Sequence, residues 1–410
     1  MTGGMKTAPL EFREAIDHFR SKVKMTTKRW EDMLEGQHTR AFTVAGATKD
    51  AILTDFHTAI DKAISQGTTL EEFRKDFDKI VETHGWSYNG TRGWRTRTIY
   101  ETNLRTATAA GRYKQMTDPD VLRYQPYWRY VHDNSVKHAR ADHKRWDGKV
   151  LLAADTWWST HMPPNGWGCK CRWEGVSKRE LKALGKDGPD PAPAVKATMK
   201  TLTTSFGPVD ISVPEGVDPG WGYSVGEAAY GKRLQEAEFA AWQKNADKWE
   251  PLTKGDWQSI GRPEQVPQEP LPASLGPKSK SPADMLRAVV DMLGGDDAAL
   301  PTADGGTVYI RADVFADHLA KDPARASFLP LLPHLLANPY EVWATFERHR
   351  GTGQVILRKR YIMALEGRPE GLVMVADAAA GKFGGWTFYT REKAAKLNSL
   401  RTGRLLWFRK

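Results

Sequence analysis

The sequence predicts an α+β protein: a helical N-terminal region with a small β-hairpin subdomain, a Pro-rich linker, and C-terminal helices packed on an antiparallel sheet. Three observations predict it. Apolar residues recur at three- and four-residue spacing through the N-terminal part. Thirteen of the 24 prolines fall between about 186 and 282. A run of short strand-like segments separated by Gly-containing turns fills the C-terminal end. At 410 residues the chain is too long for one ordinary core, and these breaks place domains at 1–180, 181–282 and 283–410.

Composition sets the outer limits. With 40% hydrophobic and 10% aromatic residues the chain can bury a real core, which argues against wholesale disorder. Its most apolar segment, SFLPLLPHLLANP, is broken by Pro330, Pro333 and Pro339, so no membrane span is expected. The segment MTGGMKTAPLEF has no apolar h-region, and two cysteines cannot make a disulfide framework, so synthesis in a reducing cytoplasm is expected. The net charge is +10. From Arg348 to Lys410 there are 14 Lys or Arg against 4 acids, a difference of +10, so this window carries the whole excess. A basic domain joined to a balanced body points to a polyanionic partner, nucleic acid above all; the plain alternative is a basic tail that aids solubility.

In AILTDFHTAIDKAISQG, Leu53, Phe56, Ile60 and Ile64 form one helical stripe, and Gly67 supplies the stop. Thr69 with Glu72 three residues on is a capping-box arrangement, and Phe73, Phe77 and Ile80 continue as a second stripe until Gly85. A third helix, TRTIYETNLRTATAAGRYKQM, mixes the small residues Ala107, Ala109, Ala110 and Gly111 with polar Glu101, Thr102, Asn103 and Arg112. It is expected to be central and buried on one side, with Asn103 and Arg112 bonding from helix to loop. After Pro126 the pattern turns to β: YWRYV alternates, and Asp147-Gly148 lies between HKRW and KVLL as the tight turn of a hairpin.

Residues 133–173 are the most informative stretch. Cys169 and Cys171 both fall there, as do four of the eleven histidines (His132, His138, His143, His161, counting the adjacent His132) and, with Trp128, six of the sixteen tryptophans. Zinc takes about four N and S ligands in tetrahedral array, and His138, His143, Cys169 and Cys171 are the available set, although Cys-x-Cys is a less usual spacing than Cys-x2-Cys. The alternative is a buried brace of Asp133, Arg140 and His143 that pins the Pro-Pro-Asn-Gly loop to the hairpin. No nucleophile and base pair is evident in the cluster.

The ordered series AFTVAG (41–46), ETNLRTATAAGRY (101–113), Asp133, Arg140, His143, Asp147-Gly148, Trp158, Pro163-Pro164 and Gly168-Cys169-Lys170-Cys171-Arg172 resembles the Mu F-like phage head morphogenesis family. VPEGVDPGWGYSVG (213–226) is similar to what often follows in that family. The chain departs from many members in lacking an upstream Cys pair near Arg140. The resemblance implies a minor head protein whose partners are portal and capsid proteins, made in the host cytoplasm and destined for the virion head interior, with no membrane role.

Beyond about 186 the sequence loosens. PEQVPQEPLPASLGPKSKSP reads as a semi-extended linker. GEAAYGKRLQEAEFAAWQKNADKW, with Leu234, Phe239 and Trp242, reads as one helix docked on the N-terminal domain. Ser281-Pro282 then opens a helix over 283–293. DVFADHLAKDPARASFLPLLPHLLAN follows as helix interrupted at Pro323 and Pro330, and EVWATFE, QVILRKRYIMAL, LVMVADAA, GWTFYT and RLLWFR follow as strands of an antiparallel meander. The period of two puts Arg358 and Arg360 on one side and Lys359 and Tyr361 on the other, so the arginine face is either solvated or facing an anion.

DHLAKDPAR, ANPYEVW, VILRKRYI, WTFY and RTGRLLWF resemble the phage barnase, EndoU, colicin and RelE-like nucleases. That resemblance implies cleavage in which a base activates the ribose 2′-hydroxyl and cations stabilise the phosphorane, without a metal or other cofactor. It implies His318 as acid or base, Arg358 and Arg360 on phosphate, Tyr361 and Thr387 orienting it, and Arg404 as a second phosphate contact. The competing readings are a noncatalytic basic module that binds DNA or portal, and a metal-dependent enzyme centred on the cysteine window.

Overall fold

The computed structural model describes residues 11–136, 139–205, 207–230, 249–253, 255–271, 273–350, 355–366, 371–379, 382–391 and 394–409. The chain divides into two compact units, residues 1–205 with 210–232, and residues 206–209 with 233–410.

In the first unit, α1 (Arg13–Arg20), α2 (Asp50–Gln66), α3 (Leu70–His84) and α4 (Arg92–Met116) form a helical layer, and the two-residue strands β1 (Val23–Lys24) and β2 (Ala41–Phe42) pair in parallel beside it. The stripes read from sequence form its core: Leu53, Phe56, Ile60, Phe73, Phe77, Ile80, Ile99 and Ala107 are buried together, with Trp86 and Phe19. Thr69 and Glu72 close the expected capping box on α3, and Gly67 and Gly85 end α2 and α3 in the left-handed region. The small residues of α4 serve close approach: a Cβ on Gly111 would lie 2.7 Å from the backbone nitrogen of Ala15, so α1 can cross α4 only over a glycine.

After α5 (Pro119–Tyr124) come β3 (Tyr127–Val131), α6 (Ala141–Trp146), β4 (Val150–Leu152), α7 (Trp158–His161) and β5 (Arg172–Val176), with sheet order β4-β3-β5. The expected strand HKRW is helical instead. It belongs to α6, which sets His143 and Trp146 one turn apart in the core, and Asp147-Gly148 joins that helix to β4. Trp128, Tyr130, Trp146, Trp157, Trp158 and Trp173 fill the space between sheet and helices. α8 (Lys178–Ala183), the strands β6 (Ala197–Thr204) and β7 (Gly207–Pro214), and α9 (Val225–Tyr230) follow. Ala228 and Ala229 of α9 pack on Ala110 of α4, as expected for a helix docked here, while Leu234, Phe239 and Trp242 lie outside the described residues.

The second unit is one mixed sheet flanked by helices. Its strands are β8 (Trp249–Pro251), β9 (Gln268–Glu269), β10 (Asp297–Pro301), β11 (Thr307–Arg311), β12 (Glu341–His349), β13 (Val355–Leu365), β14 (Gly371–Ala379), β15 (Lys382–Arg391) and β16 (Arg404–Phe408). Its helices are α10 (Pro282–Leu293), α11 (Ala312–Leu319), α12 (Leu332–Ala337) and α13 (Ala394–Asn398), with a 3-10 turn over Pro323–Leu331 where the prolines interrupt the helix. The main path is β10-β11-β15-β14-β13-β12-β16. β12 to β15 form the expected antiparallel meander, and β16 closes antiparallel on β12. The hairpin β10-β11 was not expected, nor its parallel junction with β15. Much of the Pro-rich stretch is not a spacer: β9 pairs in parallel with Ala364 and Leu365 of β13, and Val266 is buried against the sheet. β8 likewise joins β12.

Candidate functional site

Cross-strand register sets the chemistry of the C-terminal sheet. β12 and β13 pair Trp343 with Arg360, Thr345 with Arg358, and Ala344 with Lys359. Residues directly opposite share a face and neighbours along a strand alternate, so Trp343, Thr345, Glu347, Arg358 and Arg360 line one face. Lys359 and Tyr361 line the other, as the sequence period indicates.

Arg358 and Arg360 do face an anion, and it is internal. The Glu347 carboxylate accepts from Arg358 Nη1 with one oxygen and from Arg360 Nη2 with the other, and all three side chains are buried. Arg360 Nη1 is also buried, with no hydrogen-bond partner among the described residues. The Trp249 ring covers part of this cluster, its centroid 5.8 Å from the Arg358 guanidinium carbon. By backbone register Thr387 stands opposite Val375, which stands opposite Arg360, so its position belongs to the same row.

The remaining expected residues sit elsewhere. Tyr361 is 1% exposed, inside the core on the opposite face. Arg404 pairs with Ala344, a neighbour of Lys359, and so also takes the opposite face. His318 is half-buried on α11; burial first, then Lys321 and Arg325, push its pKa down to about 4, so the imidazole is neutral at pH 7. The six residues therefore do not converge on one point: Arg358, Arg360 and the Thr387 position share a face, and Tyr361 and Arg404 do not share it. The sequence reading missed Glu347. Its signal was the parity of the β12-β13 hairpin, which returns VILRKR against WATFER.

The charge asymmetry also changes meaning in three dimensions. Arg348 pairs with Glu250, Lys359 with Asp304, Arg401 with Glu341, Arg409 with Glu269, and Arg358 and Arg360 with Glu347. Every one of those acids precedes residue 348. Over residues 283–410 there are 18 Lys or Arg against 14 acids, a difference of +4.

In the first unit the cysteine window folds into a compact cluster. Cys169 and Cys171 are both free and buried. His143 Nδ1 lies 3.7 Å from Cys169 Sγ and 3.4 Å from Cys171 Sγ, and His132 Nδ1 lies 3.3 Å from Cys171 Sγ. Cys169 is the first influence holding the Cys171 thiol well below the ordinary thiol range, with His143, Tyr130 and His132 also hydrogen-bonding to it; the same contact with Cys171, together with burial, pushes Cys169 up. His138, expected as a ligand, lies outside the described residues.

The expected brace is present without Asp133. Arg140 donates to both oxygens of Asp218 and to the carbonyl of Trp167, and Trp167 N–H donates to Asp218 at 2.9 Å, so this ion pair pins the Pro-Pro-Asn-Gly-Trp loop. His143 Nε2–H donates to the Gly216 carbonyl at 2.8 Å. Asp133 instead accepts from Ser135 N–H at 2.8 Å in a local turn. Gly166 is required there, because a Cβ would fall 2.2 Å from Asp218 Oδ2. Arg112 reaches from α4 to the carbonyl of Trp173, whereas Asn103 bonds within its own helix to Ile99.

The same unit holds a largely apolar cavity of about 440 Å³, walled by Trp30, Trp94, Trp167, Trp221, His38 and Lys22 among others. Burial lowers Lys22 to about 8 and His38 to about 4. No motif marks this cavity, because its walls come from four separated stretches of sequence.

These two constructions fall in two portions of the chain that each resemble a known family. Residues 54–174 match the family described as Phage Mu protein F like protein, and residues 288–408 match the phage-Barnase-EndoU-ColicinE5/D-RelE like nuclease2 family. Both resemblances carried by the sequence motifs are thereby borne out. The chain is similar to the putative capsid assembly protein F of Escherichia phage Mu, 33% identical over 255 residues, which cover 55% of this chain and 56% of that protein. It is also similar to the Mu-like prophage FluMu F protein of Haemophilus influenzae, 36% identical over 233 residues, 50% of this chain and 54% of that protein. The chain spans about half the length of these curated relatives. No solved structure matches it. Among the described residues, no helix is long and apolar enough to cross a membrane.

Proposed function

We propose that the chain is a minor head protein of a Mu-like phage or prophage. In this reading it acts in capsid assembly at the portal, is made in the host cytoplasm and ends in the virion head interior. Its C-terminal domain is a metal-independent RNase-like effector. The similarity to capsid assembly protein F supports the first part.

The second part rests on one observation: a carboxylate buried between two guanidiniums, one of which has a buried N–H group without a partner among the described residues. A buried donor without an acceptor is costly. A phosphate oxygen supplies the missing acceptor, and guanidinium forks suit phosphate geometry. With phosphate on Arg358 and Arg360, the Glu347 carboxylate or neutral His318 takes the ribose 2′-hydroxyl proton as that oxygen bonds to phosphorus, the 5′-oxygen leaves and receives the proton from the same group, and the arginines stabilise the charge on the phosphorane oxygens. Thr387 orients the phosphate, and Tyr361 and Arg404 support the sheet from behind. Substrate entry requires Trp249 to shift.

A noncatalytic DNA- or portal-binding module is the second reading, favoured by the low exposure of both arginines, 8% each. The test incubates the full chain at micromolar concentration with single-stranded RNA in EDTA, beside Arg360→Lys, which keeps the charge and loses the fork. RNA loss abolished in the variant supports the effector. Intact RNA, together with DNA retention that falls by about 0.9 log units per tenfold salt for each duplex phosphate contact, establishes the module instead. Capture of the cognate portal protein by the full chain tests the assembly role.

A further inference from the structure

We propose that His132, His143, Cys169 and Cys171 form a closed, structural zinc site in the Mu F-like unit. The ligand set differs from the one the sequence spacing suggests: His132, at the end of β3, replaces His138.

The argument begins with distances. Zinc holds thiolate sulfur at about 2.3 Å and imidazole nitrogen at about 2.0–2.1 Å, so the N to S edge of a tetrahedral site is about 3.6 Å. The three edges in the structure are 3.3, 3.4 and 3.7 Å. His143 Nδ1 and the two sulfurs all lie within 4.8 Å of one another. Two thiols and one imidazole converge on that spacing, while His132 Nδ1 meets only Cys171 and stands beside them as the fourth donor, its ring having to turn inward to close the set.

The ligands are also aimed. A carbonyl oxygen can only accept, so the 2.8 Å contact to Gly216 requires the proton of His143 to be on Nε2. In the neutral ring this leaves a lone pair on Nδ1, directed at the sulfurs, in the manner of an outer-shell carbonyl that fixes a ligand's tautomer. The His143 ring stacks on Trp146, with centroids 5.4 Å apart and planes 23° apart, which fixes its orientation. Cys-x-Cys suits this site although it is uncommon elsewhere: both residues lie in the loop just before β5, and both sulfurs approach His143 Nδ1.

Burial sets the type of site. His132, His143, Cys169 and Cys171 are 6%, 2%, 2% and 8% exposed. Four protein ligands in a dry aromatic shell leave no open position for water or substrate, so the metal ties together the end of β3, α6 and the loop entering β5 and performs no chemistry. This revises the expectation of a chain without a cofactor.

The test is the zinc content of the full chain, purified in reductant, reconstituted with zinc and dialysed against metal-free buffer. About one zinc per chain is expected. Cobalt in its place should give the intense visible bands of a tetrahedral ion and thiolate-to-cobalt charge transfer. Both cysteines should resist alkylation until a chelator is added. His132→Ala and Cys171→Ser should lose the bound metal, and His138→Ala should keep it. Less than a tenth of an equivalent in the wild-type chain overturns the proposal, with no variant needed. Loss in His138→Ala with retention in His132→Ala overturns the ligand assignment.

Discussion

The most demanding prediction concerns Glu341, which lies at the start of β12 with a fully buried side chain. Its two oxygens accept from Arg401 Nε at 2.7 Å and Nη2 at 2.8 Å, from Arg262 Nε at 2.8 Å and from Trp343 Nε1 at 2.7 Å. Arg401 is equally buried and is further held by the carbonyl of Pro263 and by Asn398. Glu341→Gln preserves shape but turns one acceptor into an NH₂ donor facing other donors, and it leaves the Arg401 charge without its counter-ion. Breaking a buried ion pair costs about 3–5 kcal/mol. At about 2–4 °C per kcal/mol for a unit of this size, the melting transition of the second unit should fall by about 6–20 °C. Calorimetry of the full chain measures it, with Asp313→Asn as control. The Arg311–Asp313 pair is far more exposed, at 28% and 59%, so its loss should cost less than about 1 kcal/mol. A shift under about 3 °C for Glu341→Gln would show that the pair contributes little and would refute the reasoning.

The same glutamate sets an acid limit. Burial pushes its pKa up, but hydrogen bonds from Arg401, Arg262 and Trp343 outweigh this, and the folded value lies below the ordinary one. The ionised form therefore contributes stability that is present above the unfolded value of about 4.3 and lost as pH falls through the folded value. Acid melting curves should show this loss below about pH 4 in the wild type and not in Glu341→Gln.

Two further predictions concern the first unit. Lys22 is 7% exposed and lowered by burial to about 8, so keeping its charge in the cavity wall costs on the order of 3 kcal/mol at pH 7. Lys22→Met should raise the melting temperature, and the gap should close as pH rises from about 8 to 10.4; equal melting at pH 7 would contradict the burial cost. Gly111→Ala should lower thermal stability by about 1–3 kcal/mol, because its Cβ meets the α1 backbone at 2.7 Å, and a neutral outcome would mean that α1 shifts freely.

Legibility in the sequence followed the range of the interactions. The helices α2, α3 and α4 rest on local period and caps, and they form where expected. HKRW misled because a few residues before an Asp-Gly turn look alike in a hairpin and in a single helical turn; tertiary burial of His143 and Trp146 decides for helix. The prolines between 263 and 282 looked like a spacer because composition carries no register, yet Gln268 and Glu269 find their partners almost a hundred residues later in β13. β11 joins β15 over a comparable separation. The cysteine window was visible as a crowd of residues, but the contact of His132 with Cys171 depends on the backbone path out of β3, which no spacing rule supplies.

The charge pattern shows how far a linear reading reaches. The +10 excess after residue 347 is real as sequence, yet folding sets Glu250, Glu269, Asp304, Glu341 and Glu347 against the cations of that window. A long-range basic field is therefore a weak reason to expect nucleic acid here, since paired charges largely cancel beyond a Debye length of about 8–10 Å. A local arrangement stands beside this cancellation: two guanidiniums share one carboxylate on β12 and β13, with a buried N–H group that has no partner among the described residues. In the proposed function an anion is selected there by fixed geometry rather than by net charge. Binding that depended only on total charge would survive Arg360→Lys, and binding that depends on this fork would not.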